Sequence, residues 1–266
     1  MNHQSETIGG QTIKLFLSRP DLVEKEGPFE KYHALLDEEE RARCSRYRFA
    51  SDRRAFLLAH ALVRVALSKF TGTAAQALRF RRNRYGRPEI DPPASLRFSL
   101  SHTRDLVACA VSVEFEVGID VEKARDSIDP IALADRFYVR HEATALRALP
   151  IEQQMDQFLS IWALKEAYAK ARGRGLSLSL DEVAFQIKGG VIEMSLENAA
   201  PDDPSGWWFS LMRPLAGDWL ALAARPLACP PRLDARWVTP LTSLNQATEL
   251  PTVATTRLIR RVKNKS

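Results

Sequence analysis

Helix-period patterning gives way to strand-period patterning twice along this chain, and that order limits the fold more than any other feature. A polar start leads into a strand at residues 12–17. Asp37 is placed to cap a helix reaching about residue 47, with Glu38, Glu39 and Glu40 at the positive end of its dipole. Asp52 is placed to cap a second helix to about residue 70, whose Phe56, Leu57, Ala61, Val65 and Leu67 make a broad apolar face. A strand at 77–82, a turn at 83–88 and a strand at 97–100 read as a hairpin, followed by strands at 106–114 and 117–122. Helical patterning then returns at 130–137, 140–148 and 151–172, and 153–171 is the longest amphipathic segment of the chain. Strands at 183–188 and 191–196 flank Gly189-Gly190, a two-residue hairpin turn, and strands at 207–213 and 218–224 complete a second antiparallel set. Helices followed by antiparallel strands, twice, predict an α+β protein of two similar halves, 1–116 and 117–230. From residue 231 the sequence turns polar and aperiodic, which predicts an appended tail over 231–266.

Composition narrows the function classes. With 45% apolar and 27% charged residues over 266 positions, the chain has material for a full core, and collagenous, low-complexity and disordered classes are excluded. The first eleven residues lack the apolar centre of a signal peptide, and no apolar run is long enough to span a bilayer. Cys44, Cys109 and Cys229 are odd in number and far apart, so neither a disulfide framework nor a paired-cysteine metal site is expected. A cytoplasmic protein is the expectation. The net charge of +5 resides in the last ten residues, where Arg257, Arg260, Arg261, Lys263 and Lys265 stand without an acid. The body is therefore neutral, which argues against a nucleic-acid binder. Within it, Arg clusters at 41–54 and 79–87 offer the forked donors that suit phosphate oxygens.

Three groups of residues can do chemistry. Asp120 and Glu122 lie at i and i+2 of a strand, so both carboxylates face one side; they read either as two ordinary acids on a solvent-facing edge or as a pair with an Arg or a cation between them, for which a hard ion such as Mg²⁺ fits. Trp162, Glu166 and Lys170 lie at i, i+4 and i+8 and form one helical stripe, which reads either as a surface pair beside a core Trp or as part of an acidic phosphate site. Ser101 and His102 are neighbours in an extended segment and point to opposite faces, a poor geometry for a nucleophilic pair; a phosphate-contacting turn fits better.

Taken in order, Tyr85-Gly-Arg-Pro88, Phe98-Ser-Leu-Ser-His102, Gly118-Ile-Asp-Val-Glu122, Trp162-Ala-Leu-Lys-Glu-Ala-Tyr-Ala-Lys170 and Gly173-Arg-Gly-Leu-Ser177 resemble the 4′-phosphopantetheinyl transferases. The resemblance is to the larger, single-chain type whose founding member activates surfactin synthetase, and it covers roughly residues 12–225. It implies an enzyme that moves the phosphopantetheine arm of coenzyme A to a serine of an apo acyl or peptidyl carrier protein, releasing adenosine 3′,5′-bisphosphate. It also implies a pseudo-dimer of two α+β halves, each an antiparallel sheet packed with helices, with the site in the cleft between them.

Carried over by position, the resemblance makes Asp120, Glu122 and Glu166 the ligands of Mg²⁺, or of Mn²⁺ in its place. Asp120, Glu166 and Lys170 become the catalytic set, with Glu166 as general base and Lys170 on the pyrophosphate. Arg87, Ser101 and His102 would hold the nucleotide end of coenzyme A, and Arg41, Arg43 and Arg54 would join Lys170 on its phosphates. Lys165 lies inside the motif without an assigned role. Arg87 stands where the family has Lys, Ser99 where it has Asn, and Glu40 where a second basic residue is expected. A working monomer is expected because both halves lie in one chain. The alternatives are a coenzyme A or phosphate-binding module of the same fold without catalysis, and, last, a nucleic-acid binder.

Overall fold

A computed structural model describes residues 8–21, 29–125, 127–173, 179–197, 202–225, 229–241, 243–248 and 250–256. The first half runs β1 (Thr12–Ser18), α1 (Phe29–His33), α2 (Glu38–Ser45), α3 (Ala50–Thr71), β2 (Arg79–Arg82), β3 (Pro88–Asp91), β4 (Arg97–His102) and β5 (Val107–Ser112). The second runs β6 (Val117–Lys123), α4 (Pro130–Phe137), α5 (Arg140–Arg147), α6 (Ile151–Arg172), β7 (Val183–Lys188), β8 (Val191–Leu196), β9 (Trp208–Met212) and β10 (Asp218–Ala224). Three further strands follow: β11 (Arg232–Thr239), β12 (Ser243–Ala247) and β13 (Thr252–Thr255).

Two sheets, β12-β11-β1-β5-β4 and β6-β10-β9-β13-β8-β7, carry the architecture, and β2 and β3 form a separate two-stranded ribbon. Alternation along the strands explains how the sheets stack. On β5, Val107, Cys109 and Val111 face α3, where they meet Phe56, Leu62 and Leu67. The intervening Ala108 and Ala110 face the other way, into a core shared with Ile13, Leu15 and Leu17 of β1 and with Val117, Ile119 and Val121 of β6. On β10, Leu220 and Leu222 enter that same central core, while Trp219, Ala221 and Ala223 face α6 and its Leu164, Ala167 and Ala171. The protein is thus layered helix, sheet, sheet, helix, and the α+β expectation of two halves holds.

Glycine decides one contact in this stack. A Cβ on Gly118 would collide with the backbone of Ala167 and Ala171, so only glycine lets β6 lie directly against α6. The helix ends at Gly173, whose φ of 66° is the left-handed conformation that suits a helix terminus.

Three expectations are corrected. Asp52 is not a cap: α3 begins at Ala50 with extended Phe49 as its N-cap, and Asp52 sits in the first turn. The hairpin partner of β2 is Pro88–Asp91, while residues 97–102 pair with β5 in the first sheet. The Asn83 carboxamide closes that tight hairpin by accepting from the Tyr85 and Arg87 amides, and Pro88 at the strand start had concealed it. The segment after Pro231 is no simple appended tail. Leu233 and Ala235 of β11 run parallel beside Ile13 and Leu15, and β13 inserts between β9 and β8. Their polar composition follows from position: β11 carries a half-buried Lys14–Asp234–Arg236 charge cluster at its surface. The basic end, 257–266, lies outside the described residues, as does 174–178 of the last motif.

Candidate active site

β6 leaves the central core with three residues turned toward α6. Gly118 makes the close approach, and Asp120 and Glu122 follow on the same face at i+2 and i+4. From the opposing helix come Glu166 and, one turn later, Lys170. The Lys170 ammonium donates to Asp120 Oδ1 at 2.6 Å, and Asp120 itself is 4% exposed. Trp162, the third member of the helical stripe, parts from the other two and stacks on Tyr138 and Phe158 in the core beside α4.

The electrostatics record a crowded site. Burial first, and then the Asp120 charge, push the Glu122 carboxyl up to about 8, against the pull of Lys170 and Arg125. Burial and the same Asp120 charge raise Glu166, again opposed by Lys170. Asp120 Oδ2 is buried with no hydrogen-bond partner among the described residues. His102 is driven down to about 4 by burial, and then by the neighbouring His60 and Lys170, so it is a neutral imidazole at pH 7. Among the described residues no group of three or more His, Cys, Asp or Glu side chains forms a ready-made metal cage. The donor set still fits a hard cation that brings its own ligands. Three crowded carboxylates, Glu122 and Glu166 raised and Asp120 with an unpartnered buried oxygen among the described residues, are all-oxygen ligands of the kind Mg²⁺ shares with water and substrate phosphate.

Beside this group lies a cavity of about 410 Å³, walled by both halves of the chain and lined by Arg43, His60, Phe80, Tyr85, Arg87 and Lys170 among others. Of the basic residues expected on phosphate, Arg43, Arg87 and Lys170 reach it. Arg87 is also a strut between the halves: its guanidinium donates to Glu116 Oε2 at 2.9 Å and to the Ala171 carbonyl at 3.1 Å. Arg41 and Arg54 are outside the lining, and Arg41 donates to the Leu36 carbonyl.

Two buried ionic networks escaped the sequence reading. Arg64, fully buried, donates to Asp37 Oδ2 at 2.7 Å, to Glu40 Oε2 at 2.8 Å and to the Leu78 carbonyl at 2.9 Å. Glu40 also meets His60 Nδ1 at 2.8 Å. Burial alone would raise the Glu40 carboxyl, but His60, the Asp37 amide and Arg64 hold it down at about 2. Asp37 followed by Glu40 is a capping box, and that pattern was the available signal. Lys165, also fully buried, pairs with Glu142 at 2.7 Å and donates to the Leu180 and Val183 carbonyls. A lysine between Leu164 and Glu166, three residues from Trp162 and from Tyr168, carried no comparable signal.

Known proteins match this frame. Residues 24–114 match the profile described as 4′-phosphopantetheinyl transferase, N-terminal, and residues 116–219 match that of the 4′-phosphopantetheinyl transferase superfamily. The 4′-phosphopantetheinyl transferase HetI of Nostoc sp. is 34% identical over 65% of this chain and 74% of its own length. The 4′-phosphopantetheinyl transferase Sfp of Bacillus subtilis is 31% identical over 70% of this chain and 80% of its own. This chain belongs to the 4′-phosphopantetheinyl transferase superfamily. The boundary between the two matched profiles, at residues 114–116, falls where the chain passes from β5 of one sheet to β6 of the other. The crowded carboxylates and Lys170 lie in the superfamily match, and the Arg43–His60–Arg87 side of the cavity in the N-terminal one. The holo-[acyl-carrier-protein] synthase of Thermotoga maritima aligns over 41% of this chain and 61% of its own at 24% identity and a TM-score of 0.34, a likeness too slight to carry an argument.

Proposed function

We propose that this member of the superfamily transfers the 4′-phosphopantetheine arm of coenzyme A to a serine hydroxyl of apo acyl or peptidyl carrier protein domains. Adenosine 3′,5′-bisphosphate is the other product. The observation that carries the reading is the crowding of Asp120, Glu122 and Glu166 beside Lys170, which also lines the cavity between the halves.

The three carboxylates would hold Mg²⁺, or Mn²⁺, and the ion would neutralise charge on the diphosphate. Lys170 adds a fixed positive charge, Arg43 supplies a forked donor to the cavity wall, and Arg87 adds its charge there while its guanidinium holds Glu116 and the Ala171 carbonyl. Glu166, raised by burial and by Asp120, is the base for the serine proton. The serine oxygen bonds to the phosphorus that bears the pantetheine arm, the bond from that phosphorus to the bridging oxygen breaks, and the bisphosphate departs with that oxygen. No covalent enzyme intermediate is needed. His102, neutral at pH 7, still offers one ring N–H to the nucleotide end of coenzyme A. A phosphate-binding module without catalysis would gain nothing from holding two carboxyls at raised pKa, so the crowding favours the enzyme.

Both halves contribute to the cavity, which supports a monomer divided near residues 116 and 117. Cys44, Cys109 and Cys229 are free thiols, in keeping with a reducing, cytoplasmic setting. Among the described residues no helix is long and apolar enough to cross a membrane.

Intact-mass spectrometry of an apo carrier protein incubated with this protein, coenzyme A and Mg²⁺ tests the proposal. One phosphopantetheine arm should be gained, and the gain should vanish with EDTA or with a carrier whose acceptor serine is replaced by alanine. No gain on carriers from fatty-acid, polyketide and peptide synthases, despite coenzyme A binding, would instead establish a binding module.

A further inference from the structure

The two halves meet where β4, at the edge of the first sheet, runs beside β6, at the edge of the second. An edge strand presents amides that need acceptors, and here serine hydroxyls supply them. Ser99 Oγ accepts from the Ile119 amide at 3.1 Å, and Ser101 Oγ accepts from the Val121 amide at 3.2 Å. The two serines then differ. Ser101 Oγ also donates its proton to Asp120 Oδ1 at 3.0 Å, whereas Ser99 touches no carboxylate in the hydrogen bonds described. Both are more than nine-tenths buried. Asp120 Oδ1 therefore receives two donors, Ser101 and Lys170, while Oδ2 receives none among the described residues.

We infer that Ser101 is a positioning residue that, with Lys170, fixes the rotation of the Asp120 carboxylate so that Oδ2 is the oxygen left for the divalent cation. The inference rests on the proposed metal site and reassigns Ser101 within it. A serine hydroxyl has one proton, and here Asp120 takes it, so the side chain has none to give to the nucleotide of coenzyme A. An Asp anchored through one oxygen presents the other in a fixed direction, which is how groups behind a metal ligand commonly set its affinity. The same hydroxyl ties that ligand to the seam between halves.

The test uses the full-length protein and three variants, Ser101→Ala, Ser101→Thr and Ser99→Ala. Mn²⁺ binding is followed by electron paramagnetic resonance with coenzyme A present, and coenzyme A binding by calorimetry in EDTA. Ser101→Ala should weaken Mn²⁺ binding about 10- to 100-fold, the range for lost groups behind metal ligands, with coenzyme A affinity within about twofold. Ser101→Thr, which keeps the hydroxyl, should restore Mn²⁺ binding to within about threefold of wild type. Ser99→Ala loses the equivalent seam bond and should leave Mn²⁺ binding within about twofold. Equal losses in the two alanine variants would overturn the inference by making the seam alone responsible. So would a loss confined to coenzyme A binding. If Ser101→Ala fails to fold, Ser101→Cys, a weak donor of similar size, is read on the same scale. Transfer by wild type with Mn²⁺ binding unmoved in Ser101→Ala defeats this inference alone; absence of both transfer and Mn²⁺ binding in wild type defeats the proposed function with it.

Discussion

Lys165 and Lys170 project from one helix, little more than a turn apart, and each meets a buried carboxylate, yet the two pairs are built differently. Around Lys165 every strong hydrogen-bonding group has a partner. Its ammonium reaches Glu142 and the Leu180 and Val183 carbonyls, and Glu142 in turn accepts from the Phe185 and Val139 amides. That network pins α5 and β7 to α6. Around Lys170 three carboxylates crowd together, two of them raised against the pull of nearby cations, and one buried oxygen has no partner among the described residues. Satisfied buried charge is scaffold, and unsatisfied buried charge gathered beside a cavity marks where a ligand comes from outside. The Arg64–Asp37–Glu40–His60 network in the first half belongs with the scaffold.

The largest expected effect breaks the unsatisfied group. Asp120→Ala removes a carboxylate but little core volume, so single-turnover transfer should fall about a thousandfold, or ~4 kcal/mol, while circular dichroism stays native. Lys165→Met breaks the satisfied group instead. It strands a buried Glu142 carboxylate and should cost about 3–5 kcal/mol in urea unfolding. Adding Glu142→Gln to it should recover part of that loss, because the uncompensated charge is gone.

A smaller effect sharpens the contrast at Asp218, a fully buried carboxylate at the start of β10 whose oxygens have no hydrogen-bond partner among the described residues and which has Lys123 3.8 Å away. Burial pushes it up to about 6, with Lys123 pulling down and Asp105 pushing up. A raised acid binds its proton more tightly in the folded state, so its share of stability is present at low pH and is lost as pH climbs from about 4 to 6. Asp218→Asn should therefore unfold at about the wild-type urea concentration at pH 4, yet gain about 1–2 kcal/mol at pH 7.5. An equal effect at both pH values would show that Asp218 is not charged in the fold.

Much of this was legible in the sequence, for identifiable reasons. Long periodic segments announced α3 and α6, and Gly189-Gly190 fixed the β7–β8 turn because a two-residue hairpin demands such a pair. Asp120 and Glu122 at i and i+2 do share a face, since strand geometry fixes that parity. What could not be read was pairing between distant segments. Nothing local tells that Leu233 will lie beside Ile13, that Ser101 will meet Asp120, or that Lys165 will find Glu142. Those contacts depend on how two sheets stack, and their side chains carry no spacing rule. Arg87 shows the same limit: its charge suggested phosphate, and the fold gives much of its guanidinium to Glu116 and a helix-end carbonyl.

The measurement that bears most directly on the distinction is Glu166→Gln, followed by urea unfolding in EDTA and by intact-mass transfer with Mg²⁺ on one preparation. We expect unfolding stability at pH 7.5 equal to or above wild type, because a crowded charge is relieved, together with transfer reduced at least about a thousandfold. Transfer within tenfold of wild type, or a stability loss like that of Lys165→Met, would place Glu166 in the scaffold and contradict that expectation.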